Sequence, residues 1–365
     1  MELIVTSKGK LKQKYGGDFS RLETKIKALQ TALKADKLDS AIVYVDDAAS
    51  LKPFNLKPVN PEKPGEIKGL IDQIHKKLTA QKKQLDHVLI IGGDTIIPFH
   101  RLKNPADDQD ADVPTDNPYA STDEDILIPE RSLGRIPDCK SADASFMISL
   151  LDTAIFYHGK KSSASKSCCT SAEVWTEASR AVCTVVTGAG NFHQSLPVTF
   201  TNFNSSWTNG KLYQYFNLHG AEDQPNWYGQ TASAYPIAFN PENLDKSKVE
   251  GSVVFTEACY GANIIDKDIN DALSLKYLKS KAMCFVGATK IAYGPDKPPS
   301  TEADLIGVKF LGNVKNYKMT FGESLMKAKQ HLAKEMIGRQ GHLDGDDQKT
   351  LLEFVLYGDP SLKLR

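Results

Sequence analysis

The sequence predicts an α/β fold: a three-layer αβα sandwich around a mainly parallel sheet, built as two similar subdomains. Three observations predict it. Apolar, β-rich runs alternate with amphipathic helical stretches along the 365 residues, the pattern of parallel strands joined by crossover helices. The alternation occurs on both sides of a Lys/Ser-rich stretch, HGKKSSASKS, at 158–167. Two of the runs end in a reactive side chain, and sites in open α/β sheets gather beyond the carboxyl ends of parallel strands. The boundary is therefore expected near residue 160. Residues 1–160 form an N-terminal subdomain with an acidic loop, and 161–365 form a subdomain carrying the reactive pair.

The elements follow in order. Residues 1–7 read as a short strand or a poorly ordered end. DFSRLETKIKALQTALKA reads as a helix, with Leu22, Ile26, Leu29 and Leu33 on one stripe and capping-box spacing between Ser20 and Glu23. AIVYV at 41–45 is a buried strand, and the proline-bearing 46–65 is a loop. Ile67, Leu70, Ile71, Ile74 and Leu78 mark a second helix, and HVLIIGGD is the next strand. Its Gly92-Gly93 has no further glycine or lysine at phosphate-binding spacing, so it reads as a tight turn. Residues 101–130 form an irregular acidic loop, with Asp107, Asp108, Asp110 and Asp112 crowded together. A solvated loop is the main reading. Calcium is the one cofactor entertained, although the spacing is not an EF-hand. RSLGRIP is a strand and turn, and DASFMISLLDTAIFYH is a helix.

Beyond the Lys/Ser stretch, a helix is expected around SAEVWTEASRAVCTVV, followed by a polar loop. LYQYFNL then leads to His219-Gly220. The insertion at 221–244 carries Trp227, Tyr228 and Tyr235, aromatic residues that either wall a cleft or anchor a long loop. VVF leads through Glu257 to Cys259. A helix through DINDALSLKYLKSK, a strand in AMCFVGATKIAYG, a helix in FGESLMKAKQHLAKEMIG and the closing LLEFVLYGDPSLKL complete the chain.

Composition bounds the function. Forty-five basic residues balance forty-five acidic ones, so no net field points to nucleic acid or an anionic membrane. No apolar run approaches membrane-spanning length. The six cysteines include no CxxC pair, and the first residues lack the long apolar core of a signal peptide. A reduced, cytoplasmic protein is expected. The strand-end thiol and imidazole are the candidate chemistry. They can meet across the intervening loop, the histidine taking the thiol proton and the thiolate attacking a substrate. Singly, a histidine before glycine is often a loop residue, and a cysteine after an apolar strand is often a small hydrophobe. The pairing at two successive strand ends favours the chemical reading.

Four stretches together resemble the gingipain-like (C25-type) cysteine peptidases of the caspase, legumain and clostripain group: HVLIIGGDTIIP, TDNPYASTDEDILIPERSLGRIP, the pair LHG and EACYGAN, and FVLYGDPSLKL. The resemblance implies a caspase-like sandwich, Cys259 as nucleophile and His219 as acid/base, with the N–H groups of Gly220 and Cys259 forming an oxyanion hole. It implies that Glu130, five residues before Arg135, supports the histidine. It also implies that Glu257, two residues before the nucleophile, reaches the S1 pocket, and residues two apart share one face of a strand. An acid there favours a cationic P1 side chain. Asp143, after the GRIPD turn, is a second candidate for that pocket, its other reading being support of a helix dipole. Trp227 is a candidate wall of the substrate cleft.

The expected function is a cysteine endopeptidase acting on proteins or peptides after Arg or Lys, restrained by self-processing or by an activating protein partner. Lys160, Lys161 and Lys166 in the Lys/Ser stretch are candidate self-cleavage sites. The alternatives are a catalytically silent caspase-like interaction module and a sortase-like acyl transferase.

Overall fold

The computed structural model describes residues 1–187 and 191–365. The predicted alternation is realised as one ten-stranded sheet flanked by helices. The N-terminal half contributes β1 (Glu2–Thr6), β2 (Ser40–Tyr44), β3 (His87–Ile91), a hairpin of β4 (His100–Lys103) and β5 (Asp112–Thr115), and β6 (Ser132–Ile136). Next come β7 (Ser167–Ala172), β8 (Phe192–Ser195) and β9 (Tyr213–Asn217). A small antiparallel sheet follows, of β10 (His219–Ala221), β11 (Gln224–Tyr228) and β12 (Ile237–Phe239). Last are β13 (Val253–Thr256), β14 (Cys284–Ala288) and β15 (Phe354–Gly358).

The large sheet has the order β2-β1-β3-β6-β15-β14-β13-β9-β7-β8. Neighbours in it are parallel except β14 and β15. That one reversal lies in the middle, so the strands of the two halves run in opposite senses. The carboxyl ends of β9, β13 and β14 therefore share one edge, and both reactive residues lie just beyond it.

Local sequence explains most elements. Every residue of β1 and β3 is buried, as continuous apolar runs covered on both faces require. Residues 1–7 are thus a strand and not a loose end. The helix Phe19–Ala35 buries the expected Leu22, Ile26, Leu29 and Leu33, but its N-cap is Asp18 and Ser20 lies inside its first turn. The expected capping box is therefore not formed. The stretch 171–186 is not one helix: β7 ends at Ala172 and the helix is Thr176–Cys183. The SCCTSA of β7 is made of small side chains, so it shows no bulky run, yet all of it is buried.

The seam between the halves explains two of the family-like stretches. At Gly134 a Cβ would lie 2.6 Å from the carbonyl oxygen of Gly358, so β6 meets β15 there only with glycine. Arg135 is fully buried. Its Nε and Nη2 donate to the Asp116 carboxylate (2.9 and 2.5 Å), and its Nη1 donates to the carbonyls of Gly92 and Ile97 (2.6 and 2.8 Å). Removing one member of such a pair strands a buried charge, at about 3–5 kcal/mol. Just beyond Gly358 at the end of β15, Asp359 Oδ2 lies 2.9 Å from Nε2 of His158, whose Nδ1 is 3.1 Å from Asp36. Burial opposes the imidazolium, but the carboxylates overcome it and push the His158 pKa up to about 9.

Around the Lys/Ser stretch, Ser162 Oγ donates to the Gly251 carbonyl and the Ser165 N–H to the Gly210 carbonyl, both at 2.8 Å, while Lys160, Lys161 and Lys166 are exposed. The expectation of an all-thiol chain is corrected: Cys169 of β7 and Cys183 of the next helix form a disulfide. Their residues reach each other because that helix folds back over the strand. Cys139, Cys168 and Cys284 are buried thiols, and Cys259 is partly exposed. Among the described residues no helix is long and apolar enough to cross a membrane.

Candidate active site

The register of β9 and β13 builds the site. Thr256 pairs with Phe216, and the Glu257 N–H donates to the Phe216 carbonyl at 2.9 Å, so the two strands end level. His219-Gly220 and Cys259 then leave the sheet side by side. A Cβ at Gly220 would stand 1.9 Å from the carbonyl oxygen of Cys259 and 3.4 Å from its nitrogen. Two backbones pass here at contact distance, and only glycine permits it.

Cys259 opens on a cleft of about 480 Å³, lined also by Trp175, Glu257, Ala292, Tyr293 and Gly294. Trp175 joins the two reactive residues: it lines the cleft and packs against the His219 ring with centroids 4.3 Å apart. His219 also meets the exposed ring of Tyr235, edge-on at 5.3 Å. The His219 Nε2 is 2.7 Å from Oε1 of Gln230. Burial lowers the histidine's pKa, and the Gln230 contact raises it in part. Burial pushes the Cys259 thiol up to about 11, and the thiol donates to the Ala292 carbonyl at 3.7 Å. The Cys259 N–H has no backbone or side-chain acceptor among the described residues.

Glu257 forms the inner wall, with a second acid behind it. Glu257 is buried and its Oε1 accepts a hydrogen bond from Tyr215 at 2.9 Å. Its Oε2 is the atom nearest to a Cβ placed on Gly294, at 4.0 Å, on the cleft side. Beside it lies Asp304, fully buried on the helix Glu302–Gly312. Asp304 meets no hydrogen-bond donor from any other group among the described residues, so a proton shared with Glu257 is what satisfies it. Burial raises both carboxyls: Asp304 goes to about 6, with the Glu257 hydrogen bond lowering it in part, and Glu257 goes well above its ordinary value, with Asp304 raising it further.

The acidic loop is tied to this cleft. Tyr260, which follows Cys259 with a φ of 56°, donates to Asp110 at 2.7 Å. Asp110 also accepts from the Ile291 N–H at 3.0 Å, and Tyr293 donates to Asp108. Between the two carboxylates sits the ammonium of Lys349, fully buried, at 2.5 and 2.6 Å. Asp108 and Asp110 are therefore engaged by a lysine and the cleft walls, not spread into solvent. Among the described residues no cluster of His, Cys, Asp and Glu could hold a metal ion.

The remaining candidates lie elsewhere. Glu130 is exposed and its carboxylate accepts from the N–H and Oγ1 of Thr122, at 2.7 and 3.2 Å; it makes no hydrogen bond with His219. The family resemblance implied support of the histidine, but Glu130 closes its own loop. Asp143 is exposed and accepts from the N–H and Oγ of Ser145, at 2.8 and 2.7 Å, at the start of a helix; it does not line the cleft. Trp227 is 3% exposed and packs on Phe216, Phe239 and Phe285, so it anchors the insertion to the core. The sequence reading missed Trp175, Gln230, Asp304 and Lys349. Asp304 and Lys349 sit on helices it did not assign, and Trp175 and Gln230 in turns without a local signal.

Comparison with known proteins gives one family and several solved structures. The family model Peptidase family C25 matches residues 3–365. The Arg-specific cysteine proteinase gingipain R superposes with a TM-score of 0.67 at 16% identity, over 100% of this chain and 78% of that one. A complex of Porphyromonas gingivalis RgpB pro- and mature domains gives 0.67 at 15% identity, over 100% and 80%. Another protease structure gives 0.65 at 15%, over 99% and 78%. At such identities the likeness concerns the fold. No curated protein sequence matches.

Proposed function

The chain belongs to peptidase family C25 and is a cysteine endopeptidase; from that premise we propose that Cys259 is its nucleophile, that His219 is its acid and base, and that it cuts proteins after arginine or lysine. One observation carries the reading: the cleft beside Cys259 is walled by the buried carboxyl of Glu257 with Asp304 behind it, and among the described residues neither acid forms a salt bridge.

The chemistry follows from those positions. The Cys259 sulfur attacks the scissile carbonyl carbon while its proton passes to His219, and the carbonyl π pair moves onto oxygen. The N–H groups of Cys259 and Gly220 receive that oxyanion, and one such donor is typically worth about 3–4 kcal/mol of barrier. The imidazolium then protonates the amine nitrogen, the C–N bond breaks and a thioester remains. Water, deprotonated by the same histidine, attacks the thioester and restores the thiol. A P1 guanidinium or ammonium pairs with the charge held by Glu257 and Asp304, and burial makes that pairing stronger than it is in water. Gingipain R, whose fold this chain shares, is Arg-specific, which agrees with this choice. Restraint by self-processing or a protein partner belongs to the same reading.

The test is a panel of fluorogenic peptides with Arg, Lys or a neutral P1 residue, with and without an amine acceptor. Release after Arg and Lys alone, lost in Cys259→Ala, is the expected result. Equal turnover of the neutral P1 peptide would overturn the specificity, and transfer to the amine in place of hydrolysis would make the enzyme an acyl transferase.

A further inference from the structure

Gln230 is the one polar partner of the His219 imidazole among the described residues. An amide oxygen only accepts, so the ring nitrogen facing Oε1 carries the proton and Nδ1 keeps its lone pair. The seat of Gln230 is fixed. It follows Gly229, where a Cβ would lie 2.2 Å from Ser195 Oγ, and the Gly229 N–H donates to the Pro236 carbonyl at 2.9 Å. The ring itself packs against Trp175 and Tyr235, and Trp175 is anchored by its Nε1 to Asp296 at 3.1 Å. Imidazole, amide and the Trp175 wall are thus in place before substrate arrives.

We propose that Gln230 is a positioning residue of the catalytic site, holding His219 as the Nε2–H tautomer with Nδ1 free to take the thiol proton. This rests on the catalytic roles given above to His219 and Cys259. During attack the proton leaves Sγ for Nδ1 as the S–C bond forms, and the Nε2 proton stays against Gln230 throughout. A neutral amide orients the ring without adding charge to stabilise an imidazolium. The resting pair is then neutral thiol and neutral imidazole, which fits a thiol bonded to the Ala292 carbonyl and raised by burial. The titratable groups on the surrounding elements are Cys259 and Glu257 on the turn after β13, Tyr228 paired with His219 across β10 and β11, Tyr235 on the insertion, Glu173, Glu177 and Asp296 around Trp175, and Glu222 and Asp223 with Lys267 and Lys290 at the hairpin tip. None of them makes a hydrogen bond to the ring.

The experiment combines ¹⁵N-histidine NMR of the wild type with pH–rate profiles of Gln230→Leu and Gln230→Glu on an arginyl peptide. The wild type is expected to show a protonated Nε2 and an unprotonated Nδ1 at His219. Gln230→Leu should lose roughly 10–100-fold in kcat, the usual effect of removing such a partner, with KM within about twofold. Gln230→Glu should keep the tautomer and move the acid limb of kcat/KM upward by roughly one pH unit or more, because a carboxylate favours the imidazolium. A wild-type Nδ1–H tautomer, or a folded Gln230→Leu with unchanged kcat and profile, would overturn the proposal. The NMR result needs no activity, so it stands apart from the catalytic roles, which fail instead if Cys259→Ala still turns over.

Discussion

Replacing Glu257 and Asp304 singly by their amides should have opposite consequences, because the two acids share one charge but only one faces the cleft. In Glu257→Gln the remaining charge retreats to Asp304, which is fully buried behind it. The P1 cation then loses a charge-assisted contact of about 1.5–3 kcal/mol, or about one to two decades in kcat/KM. In Asp304→Asn the new amide can donate to Glu257, whose charge stays at the cleft, so the arginine preference survives. Its pH dependence should move: burial first and then Asp304 raise the Glu257 carboxyl, and without Asp304 its pKa falls. The preference for Arg over a neutral P1 should therefore persist to lower pH than in the wild type. Stability gives a second readout. A carboxyl raised in the folded state holds a proton that the unfolded chain releases, so it costs stability as pH rises from the unfolded pKa to the folded one. Asp304 goes from 3.8 to about 6, a cost of about 3 kcal/mol above pH 6 that Asp304→Asn removes. The assay is the ratio of kcat/KM for arginyl and norleucyl peptides from pH 5 to 9, with melting at each pH. An unchanged ratio in Glu257→Gln, or a preference lost equally in both variants, would refute the reasoning.

Gly220→Ala should lower kcat/KM at least about 100-fold with the fold retained by circular dichroism, since its Cβ would stand 1.9 Å from the Cys259 carbonyl oxygen and force the two segments apart; near wild-type activity would contradict the close approach. His158, raised from 6.5 to about 9 by the carboxylates around it, contributes about 3 kcal/mol that is fully present below pH 6.5 and lost as pH rises through 9. Urea titrations should show that loss in the wild type and not in His158→Asn. Stored wild type should give two fragments beginning after Lys160 or Lys161, exposed ahead of the Ser162 and Ser165 tethers, while Cys259→Ala stays whole; fragments in both would assign the cut to another protease.

The sequence was informative wherever one local pattern determined the outcome. Leu22, Ile26, Leu29 and Leu33 announced a helix because the 3.6-residue period is a property of neighbours in the chain. The parallel sheet followed from alternation, and the position of His219 and Cys259 just beyond two neighbouring strands from the apolar runs that lead to them. What was not legible depended on partners far along the chain. Gln230 is an unremarkable turn residue until β10–β12 fold it onto His219. Lys349 reads as a surface lysine, yet it is buried because Asp108 and Asp110 meet it from 239 or more residues away. Asp304 lay on a helix whose stripe was not assigned, so nothing marked it as the neighbour of Glu257. Glu130 and Asp143 failed for the opposite reason. The family resemblance suggested a shared site, while short-range hydrogen bonds to Thr122 and Ser145 keep each in its own turn.

The most direct measurement of the central claim is the intact mass of the protein after incubation with a peptidyl arginyl chloromethylketone, followed by peptide mapping. One adduct per chain, located on Cys259, is expected, its formation slowed by free arginyl substrate and absent in Cys259→Ala. An adduct on Cys139, Cys168 or Cys284, or none on a chain that hydrolyses the arginyl peptide, would contradict Cys259 as the nucleophile.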